Sequence, residues 1–513
     1  MDRQTRAAAE LVAGLGGADV LVAGFGSAGR SATTFLTAAQ SRVTAIDGAF
    51  GAPETVDGVT RIGVDEALGD AELWRRARLL VVSPGFPPDH PLVAAAHAAG
   101  VPVWGEVELA WWVDQNAVTG PPRTWLVVTG TNGKTTTTAM LEEIVAASGR
   151  TVAACGNFGT PVLDVLTASP RVEVLCVEAS SFQLHWAPSL RPAAGVVLNI
   201  AEDHLDWHGG MAGYRDAKAG ALLGAVAVVG GDDEIASALP VGPTSRRVAF
   251  TLGEPAAGEL GVVGEMLVDR AFGEPAGEPR ELVAAGLIHP PGPSGRADAL
   301  AAAALALAIG VPAAAVAQGL AGFAPAKHRG ERVASRDRAD GVAVDFIDDS
   351  KATNPHAAAA AIAARDRVVL VAGGLLKGAS VDELIRGARE RLAGVVAIGR
   401  DRDEFVRAIA RHAPEVPAVT VFTGDDGRVS VAKHVPGTDS PLGSPDTGAG
   451  DRAAADAVMR AAVGSAWELA RADGRADAVL LAPAAASLDM FGSYAARGDA
   501  FAAAAAALAG ATS

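Results

Sequence analysis

Trp125-Leu-Val-Val-Thr-Gly-Thr-Asn-Gly-Lys-Thr-Thr136 runs from an apolar strand, through a glycine turn, into the start of a helix. In that arrangement successive backbone amides can cradle phosphate oxygens at a helix N-terminus, where the dipole favours negative charge. Lys134 would reach the β- and γ-phosphates, and the Thr135 or Thr136 hydroxyl could ligate Mg²⁺. Gly130, Thr131, Asn132, Gly133, Lys134, Thr135 and Thr136 are therefore the candidate ATP-binding loop. The segment departs from the general GxxxxGK[ST] pattern, since the first glycine falls on Val128, but it keeps Gly-Lys-Thr.

Alternating strands and helices extend on both sides of this loop. Val20–Gly24, Arg42–Ile46 and Leu79–Val82 read as strands before it, and Val172–Val177 and Gly195–Asn199 after it. A third series follows at Ala343–Ile347, Val368–Val371, Gly394–Ile398 and Ala478–Leu481. The pattern predicts an α/β chain built on parallel sheets, whose ligands gather at the C-terminal ends of strands. Its 513 residues suggest about three domains. The expected divisions are 1–120, with Thr119-Gly-Pro-Pro122 as a linker, then 121–325, then 326–513. Residues 423–454, rich in Gly, Asp, Ser and Pro, read as a mobile insertion without a catalytic role.

Composition narrows the function. Half the residues are hydrophobic, 20% are charged and the net charge is −16, so large cores are available. The absence of a Lys/Arg run argues against a nucleic-acid groove. Cys155 and Cys176 make no CxxC pair and read as buried thiols of a reducing compartment. Glu10 and Asp19 interrupt the N-terminal apolar stretch, which argues against a signal peptide. Ala299–Pro325 lacks charge, but Gly310-Val-Pro312 divides it into two short helices of a soluble core rather than a membrane span. Only six lysines stand beside 37 arginines, so each lysine invites a chemical question, because an ammonium can lose its proton and a guanidinium does not. Lys433, inside 423–454, is expected to be merely solvated.

Further motifs lie at strand ends. Gly24-Phe-Gly-Ser-Ala-Gly29 precedes an acidic strand end, Asp47, by 18 residues, as a dinucleotide fingerprint does. At that level NAD and a uridine diphosphate remain equally open, with a purely structural turn as a third reading. Glu178 closes a buried strand beside the loop and is a credible Mg²⁺ partner. His204 ends another strand, a placement that leaves a functional and a structural reading both open, and Lys218 follows in Tyr214-Arg-Asp-Ala-Lys218.

Together TGTNGKTT, Glu178-Ala-Ser-Ser-Phe-Gln-Leu184, Glu202-Asp-His-Leu-Asp206 and Tyr214–Lys218 resemble the Mur ligase family. So do His328-Arg-Gly-Glu331, Asp349-Ser-Lys-Ala-Thr-Asn354, Gly373-Gly-Leu-Leu-Lys-Gly378 and Ala482-Pro-Ala-Ala-Ala-Ser-Leu-Asp489. The likeness covers nearly the whole chain outside 423–454, and SSFQL, DSKATN and PAAASLDMF are similar to the D-glutamate-adding branch. The resemblance implies an N-terminal Rossmann-like domain, a central ATPase-type domain and a C-terminal Rossmann-like domain. It also implies cytoplasmic peptidoglycan synthesis, in which ATP converts the carboxylate of UDP-N-acetylmuramoyl-L-alanine to an acyl phosphate that D-glutamate's amine displaces. The expected state is a monomer, with neither nucleic acid nor membrane insertion.

Carried over residue by residue, the resemblance implies a carbamate, derived from CO₂, on Lys218. With Thr135, Glu178 and His204 it would hold Mg²⁺, two ions being expected. Lys134, Glu178, His204 and Lys218 are the implied catalytic set. Arg329 and Asp349 join the ATP site, while Ser27, Asp47, Ser83, Asn157 and His204 would hold the uridine-diphosphate substrate, Asp203 lying in the same pocket. Thr353, Lys377, Ser487 and Tyr494 would bind D-glutamate, with Lys351 in the same region. The chain departs from the family at Ser294-Gly-Arg-Ala-Asp298, where His-Asn-x-x-Asn is usual, and at Leu375-Leu376, where an aspartate is common. Competing readings are another amino-acid ligase of Mur or folylpolyglutamate type, a non-catalytic nucleotide-binding protein, and, weakest, an NAD dehydrogenase.

Overall fold

The computed structural model describes residues 3–273, 278–424, 428–434 and 452–510. Its chain forms three sheets in two compact units, Met1–Ile288 with Arg296–Phe323, and His289–Gly295 with Ala324–Ser513.

The first sheet orders its strands Glu54–Val56, Val59–Ile62, Arg42–Ile46, Asp19–Ala23, Ala77–Val82, Val103–Gly105. Only the first of these runs antiparallel to its neighbour, across a turn at Asp57 and Gly58, both with positive φ, as a two-residue hairpin requires. Val20–Ala23 is wholly buried, in keeping with a central parallel strand covered on both faces. Strand order reverses at Asp19–Ala23, so the Gly24 turn opens at the crevice where doubly wound sheets bind ligands.

The second sheet places the phosphate-loop strand Thr124–Thr129 between Val174–Glu178 and Ala194–Val197, all parallel. Its far edge, Met266–Asp269 and Arg280–Ala284, is antiparallel. The periodicity argument did not resolve this edge, whose strands have no helical crossovers to announce them. The uncharged stretch forms two helices, Pro293–Ala308 and Ala313–Gly322, broken at Gly310. Ala299–Ala306 is fully buried, which accounts for the absence of charge. Gly319 lies so close to the helix Lys134–Ala147 that a Cβ would stand 2.5 Å from Ile144 Cα.

The first two sheets share one core. Trp104, Trp111 and Trp112 cluster with Trp125, Val127, Leu175 and Val177. Residues 119–122, read above as a linker, are bracketed by a fully buried ion pair, Arg123 Nη1 to Asp114 Oδ1 at 2.7 Å. Asp114 also accepts from Arg123 N and from Trp125 Nε1. Leaving Arg123 without its partner would cost about 3–5 kcal/mol, the scale for a buried charge stripped of its counter-ion. Two more buried carboxylates line the helix Glu106–Gln115. Glu106 accepts from Leu163 N, and Glu108 from Trp112 Nε1 and Ser189 N.

In the second unit the strand order is Glu331–Asp337, Ala343–Asp348, Ala478–Leu481, Val368–Gly373, Leu392–Ile398, Ala418–Thr423, Val429–His434. The outer strand on each side is antiparallel. Residues 423–454 are thus not one insertion. Val429–His434 pairs with Ala418–Thr423 because its apolar and β-branched alternation suits an edge strand, and the helix Arg452–Asp473 packs Val458, Met459 and Val463 into the core. Lys433 is exposed on that edge strand, whereas 425–427 and 435–451 lie outside the described residues. No helix among the described residues is long and apolar enough to cross a membrane.

Burial pushes the Glu106 carboxyl up to about 7, against the Leu163 and Val162 amides that favour its ionised form. An unfolded glutamate loses its proton first, so between pH 4.5 and about 7 the folded chain holds the extra proton and stability falls as pH rises. A shift of that size corresponds to about 3 kcal/mol. Glu106→Gln is expected to flatten this part of the profile in urea titrations between pH 5 and 8, and an unchanged slope would refute the assignment.

Candidate active site

Gly133 caps the helix Lys134–Ala147 with φ +87, and a Cβ there would stand 2.3 Å from Asp298 Oδ1. Asp298 also accepts from Thr137 Oγ1 at 3.1 Å, so the segment that departs from the family pattern lies directly on the phosphate loop. Thr131 and Asn132 tie the loop to the end of the neighbouring strand. Thr131 Oγ1 bonds Ala201 O and N, and Asn132 exchanges hydrogen bonds with the Asn199 side chain. Thr135 and Thr136 occupy the helix's first turn, Thr136 buried.

Lys134, at the loop's end, and Lys218, on the helix Met211–Ala219, converge on one oxygen. Lys134 Nζ donates to Gly130 O at 2.9 Å and Thr131 O at 2.7 Å, and Lys218 Nζ donates to Gly130 O at 2.6 Å. Lys218 is 1% exposed. Burial lowers its pKa well below the ordinary lysine value, Lys134's charge adds to the effect and Asp203 opposes it. Its Nζ lies 4.8 Å from the centre of the Tyr214 ring, and the Tyr214 hydroxyl meets Thr131 Oγ1 at 2.9 Å.

Glu178 is buried at its strand end and accepts from Asn157 Nδ2 at 2.8 Å. Val128 and Gly156 both register with Glu178, so parallel pairing brings together two residues assigned separately from the sequence. His204 takes a left-handed conformation before the short helix Leu205–His208 and is half exposed. Its ring packs on Phe182, centroids 4.7 Å apart, and its Nε2 is 3.4 Å from Asp203 Oδ2. Among the described residues no group of three or more His, Cys, Asp or Glu could hold a metal ion. A metal here would need Thr135, a modified Lys218 or substrate oxygens besides Glu178 and His204.

Sequence reasoning passed over the cluster around Phe182, in which His185, Trp186, Trp207 and His208 pack edge to face and His208 Nε2 meets Ser181 Oγ at 2.9 Å. Burial, followed by neighbouring His185, His204 and Lys218, pushes His208 down to about 4. The pairing of His185-Trp186 with Trp207-His208 was a legible signal, since tryptophan and histidine are scarce in this chain.

At the first sheet, Asp47 accepts from Phe25 N and Ala49 N, and Ser83 Oγ donates to Gly24 O at 3.0 Å. Ser27 begins the helix Ser27–Ala38 and is exposed. The structure thus gathers Ser27, Asp47 and Ser83 around the Gly24 turn, while Asn157 and His204 belong to the second sheet. Gly24 and Gly29 are required by close approach, since a Cβ on Gly29 would stand 1.8 Å from Gly24 O.

The second unit has its own cluster. His328 Nδ1 meets Asp348 Oδ2 at 2.6 Å, and burial pushes the Asp349 carboxyl up to about 7 against the pull of Arg329. Arg497, 1% exposed, donates to Ser350 Oγ, Ser350 O and Ala485 O, fastening the DSKATN loop to the 484–487 turn. Lys351 Nζ sits 4.3 Å from the Tyr494 ring centre, and Thr353 N bonds Lys351 O. Leu375 pairs with Ala486, Ser487 is buried and Lys377 is exposed with φ +52. The Leu375-Leu376 departure has a packing reason: Leu376 enters the core, and its amide donates to the carboxylate of Asp401, a residue not singled out from the sequence.

Family models match residues 18–105 as "Mur ligase MurD-like, N-terminal domain" and 128–254 as "Mur ligase middle domain". A UDP-N-acetylmuramoylalanine--D-glutamate ligase of Rhodococcus jostii (strain RHA1) is 55% identical over 446 residues, 86% of each chain. One of the same name from Mycobacterium avium (strain 104) is 54% identical over 461 residues, 88% of this chain and 89% of the relative. In fold, the chain is similar to MurF from Acinetobacter baumannii, with a TM-score of 0.50 at 17% identity over 96% of this chain and 92% of that one.

Gly133→Ala combines a left-handed backbone with a collision against Asp298, and is expected to lower stability by about 2–4 kcal/mol. Gly209→Ala, at φ +68 with nothing within 4 Å of the added carbon, should cost only about 1 kcal/mol. Thermal unfolding of the two variants side by side checks the difference; equal losses would contradict the packing of Asp298 on the loop.

Proposed function

The chain belongs to the Mur ligase family, and from that membership we propose how its residues join D-glutamate to UDP-N-acetylmuramoyl-L-alanine with ATP. It is an ATP-dependent acid–amino-acid ligase of peptidoglycan synthesis. The observation that carries the mechanistic reading is the convergence of Lys134 and the fully buried Lys218 on Gly130 O within a loop built for phosphate.

The loop fits ATP. Its amides open a helix N-terminus, Gly133 has no room for a side chain, and Lys134 holds two loop carbonyls that phosphate oxygens can replace. Activation begins when a carboxylate oxygen of the UDP-linked substrate attacks the γ-phosphorus. A new P–O bond forms as the bond to ADP's oxygen breaks, and Lys134 meets the charge carried by the transferring group. The neutral amine of D-glutamate then adds to the acyl carbon. Phosphate departs with the C–O electron pair, and the nitrogen gives up a proton to leave an amide. Glu178, a buried carboxylate next to the loop strand, would hold Mg²⁺ together with Thr135, His204 and a carbamylated Lys218, and the metal would supply charge neutralisation at the phosphates.

The low pKa of Lys218 supports carbamylation, because a neutral amine can add to CO₂ and release a proton, whereas an ammonium has no lone pair. Ser27, Asp47 and Ser83 take the uridine-diphosphate end of the substrate, and Asn157 and His204, on the second sheet, take another part of it. Arg329 and Asp349 serve ATP, and Thr353, Lys377, Ser487 and Tyr494 serve D-glutamate. Division at 1–120, 121–325 and 326–513, two metal ions and a cytoplasmic location belong to the same reading.

Phosphate release is expected to require ATP, UDP-N-acetylmuramoyl-L-alanine and D-glutamate together. Turnover with meso-diaminopimelate or L-lysine but not D-glutamate would overturn the substrate assignment. Lys134→Ala should lower kcat by about 10²–10³-fold, the scale for loss of one preorganised charge-stabilising group. Lys218→Ala should lose activity and regain part of it with short-chain carboxylic acids; full activity without them would remove the carbamate from the mechanism.

A further inference from the structure

Ser83-Pro-Gly-Phe-Pro-Pro88 follows the strand Ala77–Val82 and carries Ser83, whose hydroxyl holds the Gly24 turn. Three of its six residues are prolines, which have no N–H to give, so the loop holds little of itself in place. Its internal backbone bonds include Phe86 N to Ser83 O and His90 N to Pro87 O. Two carbonyls in the middle of the loop accept instead from the second sheet's elements. Trp207 Nε1 donates to Gly85 O and Trp186 Nε1 to Phe86 O, each at 3.1 Å. An indole N–H is a donor only, carried on a large rigid ring, so two of them on consecutive carbonyls fix both position and orientation.

Both tryptophans are themselves held. Trp186 is buried, its carbonyl accepts from Gly105 N at 2.9 Å, and a Cβ on Gly105 would stand 2.8 Å from Trp186 Cβ. Trp207 packs on Phe182 at 4.6 Å and on His208 at 4.5 Å between ring centres. His208 lies 5.4 Å from the Tyr214 ring, and the Tyr214 hydroxyl bonds Thr131 of the phosphate loop. An unbroken series of contacts therefore runs from the Gly24 turn, through Ser83, the two indoles, His208 and Tyr214, to Thr131.

We infer that Trp186 and Trp207 are positioning residues that lock the loop carrying Ser83 to the phosphate loop, so that a nucleoside-diphosphate substrate and ATP each favour binding of the other. This rests on the functional reading above, which places the uridine diphosphate at the Gly24 turn and ATP at 130–136. The coupling is read as the change in one ligand's affinity when the other binds.

The test is calorimetry on the full chain, titrating UDP-N-acetylmuramoyl-L-alanine with and without a saturating non-hydrolysable ATP analogue and Mg²⁺. In the wild type the analogue should tighten the UDP substrate at least about fivefold, the lower end of ordinary coupling. Trp186→Phe/Trp207→Phe leaves a smaller aromatic ring at each position and removes both N–H donors, and should bring that factor below twofold while each ligand alone still binds. His208→Asn, which interrupts the ring contacts further along, should reduce it as well. A merely structural role would lower the melting temperature and leave the factor unchanged, and that result, or a wild-type factor of one, overturns the inference. Wild-type turnover of all three substrates, measured on the same preparation, separates the two failures. No turnover sinks the functional reading, whereas normal turnover with coupling intact in the double variant sinks only the role of the indoles.

Discussion

Two lysine side chains donate to the same carbonyl, Gly130 O, and much of the first unit is arranged around that fact. Lys218 is buried, and that burial, followed by the charge of Lys134 nearby, lowers its pKa well below the ordinary lysine value. An amine so placed can lose its proton and act as a nucleophile, which a guanidinium in its place does not. Tyr214 supports both, its ring beneath the Lys218 nitrogen and its hydroxyl on Thr131, so the loop's shape and the lysine's chemistry are maintained by one side chain.

The loop can be held so closely because its strand is central and the surrounding core extends beyond its own sheet. Trp125 on that strand packs edge to face against Trp111, ring centres 5.3 Å apart, and its indole N–H meets Asp114. Asp114, Glu106 and Glu108 are buried on one helix, and each accepts hydrogen bonds from the second sheet's elements. Burying three carboxylates is expensive unless each is paired or protonated. Asp114 is paired with Arg123, while Glu106 is pushed towards its neutral form. The segment between the two sheets is for this reason a part of the core.

Much was legible along the chain wherever local pattern and tertiary demand agree. The buried strands, the glycine turns at 24–29 and 130–133, the break at Gly310 and the strand-end position of Glu178 all follow from hydrophobic period and turn chemistry, and the structure places them within a residue or two of expectation. Other features were hidden because their cause is remote in sequence. Asp298 is a lone acid in an alanine-rich helix until Gly133 and Thr137 meet it. Leu376 looks like a lost aspartate until its burial and the bond from its amide to Asp401 are seen. Arg497 is one arginine among 37, and becomes distinct only when burial and three loop acceptors identify it as the fastening of the second unit's site loops.

Residue type and spacing by themselves determined the α/β class and the phosphate loop with Lys134, and the motifs carried the resemblance to the Mur ligase family, because those depend on short stretches whose chemistry is nearly complete in isolation. Only the tertiary structure decided which groups share an environment. It set Lys218 beside Lys134, Asn157 beside Glu178, and two indoles on the proline-rich loop of the other sheet. Protonation, hydrogen-bond partnership and burial are properties of a residue's surroundings, and those surroundings are assembled from segments 21 to 161 residues apart.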